Sequence, residues 1–137
     1  MKYYLISYPE TLSDGFSGSA KGPFIKLIAK SRDDVGLLEH EKTHVRQWYG
    51  ASAGGVVVGA LLSLLVSPAF WGLALGALSI HPLLYQFIRP YRKWSEVQAY
   101  RKQLATGGYP SSEFAAKHLA TKYDLGLTLD EAKALLK

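Results

Sequence analysis

His40-Glu41-Lys42-Thr43-His44, continued by Val45-Arg46-Gln47-Trp48, is the stretch on which the reading of this chain turns. Residues four apart share one face of a helix, so His40 and His44 would project side by side and present two imidazole nitrogens to one ion. Glu41 follows the first histidine and falls on the rim of that face, where it can accept a proton from water without joining the coordination shell. Two histidines and a glutamate also meet at this spacing by accident in some chains, so the surroundings carry weight. Ser31, Asp33 and Asp34 supply N-cap oxygens just upstream, and Val35, Leu37, Leu38, Val45 and Trp48 follow a helical pattern. A helix from Val35 to Tyr49 is expected, ended by Gly50.

Upstream, Lys2 to Tyr8 is rich in aromatic and β-branched residues and stops at Pro9, which predicts a short strand. Glu10 to Gly22, punctuated by Asp14-Gly15, Gly18 and Gly22, reads as an irregular loop. Phe24 to Ala29 reads as a second strand. The two predict a small antiparallel sheet, which needs helices to pack on.

Downstream, Gln47 to Ile88 contains no Lys, Arg, Asp or Glu. Within it Gly50 to Val66 and Ala69 to Ile80 are apolar and rich in Gly and Ala, divided by Ser67-Pro68. A bilayer-spanning helix takes roughly 20 apolar residues, with about 17 as the lower limit, and these segments fall at or below it. They read as a helical hairpin whose small residues permit close backbone approach, in a protein core or in lipid. Pro82 opens a helical stripe through Leu83, Phe87, Tyr91, Trp94, Val97, Tyr100 and Leu104, with a kink expected at Pro90. Gly107-Gly108-Tyr109-Pro110 ends it, Ser111 or Ser112 caps a helix over Glu113 to Tyr123, and Thr128 with Glu131 forms a capping box for a last helix ending near Lys137.

At 137 residues the chain fits one domain, 1–137, of α+β class. It is expected to be mainly helical, with a small N-terminal antiparallel sheet packed on a helical core that carries the apolar hairpin. The absence of cysteine excludes disulfide frameworks, thiolate metal sites and cysteine nucleophiles, so any metal must sit on nitrogen and oxygen. The formal net charge is +5, with one basic concentration from Arg89 to Lys102. No recognised nucleic-acid motif accompanies it, so solvated helix surface is the preferred reading over a nucleic-acid partner. The first residues lack the apolar run and cleavage site of a secretory signal.

A catalytic zinc ion takes three protein ligands and keeps one position for water. His81, Glu96, Glu113, His118 and Glu131 are the candidates for the third. Glu96 is preferred because it follows an antiparallel return of the chain and is flanked by Trp94 and Val97, which would anchor it in packed structure. The competing reading makes it an exposed partner of Lys93 or Arg92.

The segment His40 to Trp48, taken with Tyr91-Arg92-Lys93-Trp94-Ser95-Glu96-Val97-Gln98-Ala99-Tyr100, resembles the gluzincin type of zinc metallopeptidase. It is most similar to the minimal, single-domain HExxH proteins of bacteria and their phages. The resemblance implies a zincin-like core, a Zn2+ cofactor held by His40, His44 and Glu96, Glu41 as general base, and a peptide or protein substrate. In that family the glutamate is commonly followed three residues on by Ala, as Ala99 is here. An acidic residue that often orients a zinc-binding histidine is replaced by Tyr100, which leaves backbone carbonyls or Glu39 as orienting partners. Tyr91 is preferred as oxyanion donor over Tyr100, Arg92 and His81. The strand Phe24 to Ala29 is expected to offer its edge to an extended substrate.

Three alternatives stand beside this reading. The zinc site could be closed by His81 or His118 as a fourth ligand, in a non-catalytic structural or interaction module such as a phage-particle component. The hairpin 50–81 could lie in lipid, with Arg46 on one flank and Arg89, Arg92 and Lys93 on the other favouring a cytoplasmic site; a hairpin buried in the core is preferred. Last, the chain could be a basic nucleic-acid binder with an accidental motif. The expected location is cytoplasmic or particle-associated, with membrane association through 50–81 as the alternative.

Overall fold

Asp34 starts the longest element by accepting the Leu37 amide on its carboxylate at 2.9 Å. The helix that follows, α1 (Val35–Leu65), does not stop at Gly50 but continues for 31 residues. A glycine costs about 1 kcal/mol in a helix interior, yet Gly55 and Gly59 face the returning chain so closely that a Cβ would overlap Ile80 and Ala74. Packing at those two positions overrides local propensity. The computed structural model describes residues 2–108 and 111–137, so the Tyr109-Pro110 part of the stop signal lies outside the described residues.

The expected hairpin forms with unequal arms. Its outgoing arm is the second half of α1, and Ser67 caps the turn by accepting the Ala69 amide. The return is broken into a 3-10 turn at Pro68–Phe70, α2 (Trp71–Leu75), a second 3-10 turn at Ala77–Ser79 and α3 (Ile80–Phe87). Nor is the hairpin buried in the core, as its preferred reading had it: its fully buried side chains are small, and most of its large apolar ones are exposed, with Leu62 and Ile80 half-buried.

Pro90 does not kink a continuous helix. It sits in the first turn of α4 (Arg89–Thr106), where its missing N–H removes no helical bond, and extended Ile88 separates α3 from α4. Helix α4 runs antiparallel to α1, with Gly36 against Gln103 and Gly107, and Gln47 bonded to the Ser95 carbonyl. This is the most extensive helix pairing in the molecule. Gly107 ends α4 at φ 86°, a conformation open to glycine. A Cβ on Gly36 would overlap the Gly107 carbonyl. Because backbone cannot yield as a side-chain tip does, Gly36→Ala is expected to destabilise by about 1–3 kcal/mol. A lowered midpoint in urea unfolding at unchanged m-value would show this; an unmoved midpoint would mean that the helix ends separate freely.

Two further helices cover the other side of α4. Ser111 caps α5 (Ser112–Thr121), and a reciprocal Thr128–Glu131 box caps α6 (Leu129–Leu135). Val97 and Tyr100 of α4 join Ala115, Leu119 and Leu125 in one apolar core.

The N-terminal sheet has three strands, β1 (Leu5–Ser7), β2 (Gly18–Lys21) and β3 (Phe24–Leu27), in the order β1-β3-β2. Strand β2 lies in the segment expected as loop; Gly-Ser-Ala-Lys has little strand preference and is held by antiparallel pairing with β3 across the Gly22-Pro23 turn. Strand β1 pairs with β3 in parallel, so the sheet is mixed and not purely antiparallel. Ile25 and Leu27 of β3 pack on Val45 of α1 in a second core. Both edges of β3 are therefore occupied. The strand at the sheet edge beside α1 is β2, not the Phe24–Ala29 strand expected to receive a substrate.

Candidate metal centre

His40 and His44, one turn apart on α1, meet Glu96 of α4 between the two cores. Their Nε2 atoms are 3.2 Å apart. Glu96 places Oε2 3.6 Å from His40 Nε2 and Oε1 3.5 Å from His44 Nε2. With Ser95 and Ala99 fully buried on the same helix, α4 comes close enough to α1 to leave Glu96 only 1% exposed. The alternative of a solvated glutamate paired with Lys93 or Arg92 is not what forms.

Ligands about 2.0–2.1 Å from Zn2+ at the corners of a tetrahedron lie about 3.3 Å from one another. The His40–His44 separation is close to that value, and each Glu96 oxygen lies slightly farther than it from one of the two histidines. Glu96 Oε2 is buried without a hydrogen-bond partner, an expensive state for a carboxylate oxygen unless a cation shares it. Among the described residues this is the one group of three such donors close enough to share an ion. Neither His81, whose Nδ1 lies 2.8 Å from the Tyr91 hydroxyl, nor His118, whose Nδ1 lies 3.3 Å from that of Tyr100, belongs to that group as a fourth ligand. Two imidazoles and one carboxylate could hold a borderline divalent cation such as Zn2+ and leave a position for a non-protein ligand.

The electrostatics agree with such a site. Desolvation, followed by the charge on His44, holds His40 well below the ordinary imidazole pKa, in the neutral form a metal requires. Burial raises Glu96 above the ordinary carboxylate value, against the pull of His44, Tyr85, Tyr123 and Arg92. Glu41 is 4% exposed and stands outside the donor group. Burial and then the charge of Glu96 push it well above the ordinary range.

Partners of the histidines emerge that sequence reasoning did not find. His44 Nδ1 faces Gln47 Oε1 at 3.0 Å and Ser95 Oγ at 3.2 Å, while the Ser95 hydroxyl donates to Gln47 Oε1 at 2.6 Å. An Nδ1 that donates to this amide oxygen leaves Nε2 free to ligate. Glu39 does not take that role, because Lys42 and Arg46 bind its carboxylate. The His40 ring stands edge-on to Tyr100, centroids 4.5 Å apart. His40 Nδ1 and Gln103 Oε1 are both buried and without a formed hydrogen bond.

Of the oxyanion candidates, Tyr91 lines a groove with Trp94 and Gln98 and is bonded to His81. Tyr100 supports His40, and its hydroxyl is 3.0 Å from that of Tyr123. Arg92 clamps backbone, donating to the carbonyls of Tyr85 at 2.8 Å and Tyr123 at 3.1 Å. The hydroxyl at the donor group is that of Tyr85, which donates to Glu96 Oε1. Tyr85 lay unnoticed inside an apolar stripe, and only the break between α3 and α4 turns it toward Glu96. Comparison with protein-family models, curated proteins and solved structures finds no match to this chain.

Proposed function

We propose that this chain is a zinc-dependent peptidase of the gluzincin type, with His40, His44 and Glu96 as metal ligands and Glu41 as general base. The observation that carries the reading is the convergence of two imidazoles and one carboxylate beside a second buried acid, Glu41, that stays outside the group. Zn2+ held there supplies a Lewis acid for a scissile carbonyl and brings the pKa of its water toward about 7. Glu41, its own affinity for protons raised by burial, takes the proton from water and returns it to the leaving amine. The Tyr85 hydroxyl, which lies beside Glu96, would serve the carbonyl oxygen in preference to Tyr91 by giving up its bond to Glu96 Oε1. An extended peptide fits along β2, whose Gly18 lies against Glu41; recognition through backbone hydrogen bonds tolerates many sequences. Against a non-catalytic zinc module stands the lack of a fourth protein donor among the described residues.

Metal analysis after zinc supplementation, with casein hydrolysis before and after chelation, tests the reading. About one Zn2+ per chain is expected, with activity lost to the chelator and regained with zinc. A chain that takes up no zinc sinks the proposal.

A substitution at β2 probes the base without touching a ligand. A Cβ on Gly18 would overlap Glu41 Oε1 and press on the Leu27 side chain at 3.1 Å; the Glu41 overlap is the more severe and involves the end of a flexible side chain, so Gly18→Ala should displace the carboxylate at a modest cost in stability. We expect unchanged zinc content and a fall in kcat/KM of about 10-fold or more. Undiminished turnover would mean that the position of the carboxylate does not matter.

A further inference from the structure

The segment between His44 and Glu96 that forms the hairpin is packed inside out. On the second half of α1 the buried residues are Ser52, Gly55, Gly59 and Ser63, whereas Leu64 is 78% and Leu65 80% exposed. On the return arm Trp71, Leu75 and Leu78 are exposed, and Ala77 is the one buried hydrophobic residue among 50–88. Only 17% of the most apolar stretch of α1 is buried. A water-soluble domain does the reverse, enclosing its large apolar side chains, and a patch on this scale marks a surface that meets something apolar.

The chemistry around the patch says what that is. Arg46 precedes the charge-free segment, Arg89, Arg92 and Lys93 follow it, and the hairpin brings both ends back to one side. Four cations therefore gather at its base against two acidic partners, Glu39 beside Arg46 and Asp124 beside Arg89, with exposed Tyr49 and Trp94 among them, a net positive, aromatic rim of the kind found at an anionic headgroup layer. Residues 50–65 of α1 reach about 24 Å at 1.5 Å per residue, less than the roughly 30 Å of a hydrocarbon core, and the chain turns back. The contact at Gly55 and Gly59 packs the broken return arm tightly on α1, as small-residue interfaces do in lipid. Ser63 satisfies its hydroxyl on the Gly59 carbonyl at 2.7 Å.

We propose that residues 50–81 insert into one face of an anionic lipid bilayer without crossing it, holding the metal centre at headgroup level, and that the substrate is a polypeptide segment presented at that surface. His44 is six residues before Gly50, about 9 Å along α1. The substrate class rests on the peptidase reading; the insertion does not.

Flotation of the full chain with phosphatidylcholine vesicles, with and without phosphatidylglycerol, separates these claims. The wild type is expected to float with both, more completely with the anionic lipid, and to stay bound through high-salt and alkaline washes. Leu61→Lys with Leu64→Lys, both on the exposed face, should release the chain to the soluble fraction with zinc content unchanged. A wild type that remains a soluble monomer without detergent overturns the insertion. So does a soluble dimer that the two lysines dissociate, which would assign the face to a second copy of this chain. For the substrate, a peptide tethered to vesicles should be cleaved at least about 10-fold faster than the same peptide free, an advantage the double variant loses. Vesicle binding without any hydrolysis would remove the peptidase reading and leave the insertion standing, whereas hydrolysis with no tethered advantage would remove the substrate class.

Discussion

Glu41→Gln is expected to keep the full complement of zinc and lower kcat/KM by about 10²–10⁴, the range a positioned general base contributes. The separation of the two effects follows from geometry. Glu41 shares a helix turn with His40 yet stands outside the group formed by His40, His44 and Glu96, so an amide there leaves every metal donor in place. The amide has the same shape but cannot take a proton. Its effect on stability has the opposite sign. Burial and Glu96 push Glu41 well above the ordinary carboxylate pKa, so folding favours the protonated acid. Wild-type stability from this group is present at low pH and declines as pH rises past the ordinary carboxylate value of about 4.3. The glutamine variant escapes that decline, and its melting temperature is expected to match or exceed that of the wild type at neutral pH. Zinc lost with Glu41→Gln would put Glu41 in the coordination shell; full turnover would remove it as the base.

The parts of this site that could be read from the chain are those set by local rules. The four-residue step from His40 to His44 and the Asp34 cap are properties of one helix, and they form as expected. Glu96 was legible through Val97 and the small Ala99, both buried, whereas Trp94, the other expected anchor, is exposed. What was not legible depends on the chain meeting itself. Gln47 lies in the motif's own continuation, but it orients His44 only together with Ser95, 48 residues on. Tyr85 becomes a site residue because Ile88 is extended and turns α3 against α4. Strand β2 carries no strand signal and exists through its pairing with β3. The continuation of α1 beyond Gly50 ran against glycine's propensity and required knowledge of which glycines the return arm would touch. Periodicity placed the hairpin correctly but could not say which way its large side chains would face, since a core and a bilayer both accept them.

Glu96→Ala is expected to weaken zinc binding by more than about 10²-fold, because even an outer hydrogen-bond partner of a ligand contributes 10–100-fold. Activity should fall with it. The decisive measurement is the shift in melting temperature on adding zinc. A ligand present at 100 times its Kd stabilises a fold by about 2.7 kcal/mol, so the wild type and Glu41→Gln should both show a clear upward shift and Glu96→Ala little or none. Stability without metal tells the ligand role apart from a packing role. Removing Glu96 leaves a cavity and strands the Tyr85 hydroxyl, but it also removes a buried carboxylate whose Oε2 has no partner. These effects oppose each other, and the metal-free variant is expected to melt near the metal-free wild type. Glu96→Gln sharpens the comparison: its amide oxygen can still accept from Tyr85 and fill the space, so it should fold as the wild type does, yet it brings no negative charge to the ion. Zinc affinity lowered in both variants, with the fold kept in the glutamine one, assigns the loss to the missing ligand. Wild-type affinity in Glu96→Ala would instead require another third donor, and Glu41, the remaining buried acid beside the two histidines, would then have to leave the role of base for that of ligand.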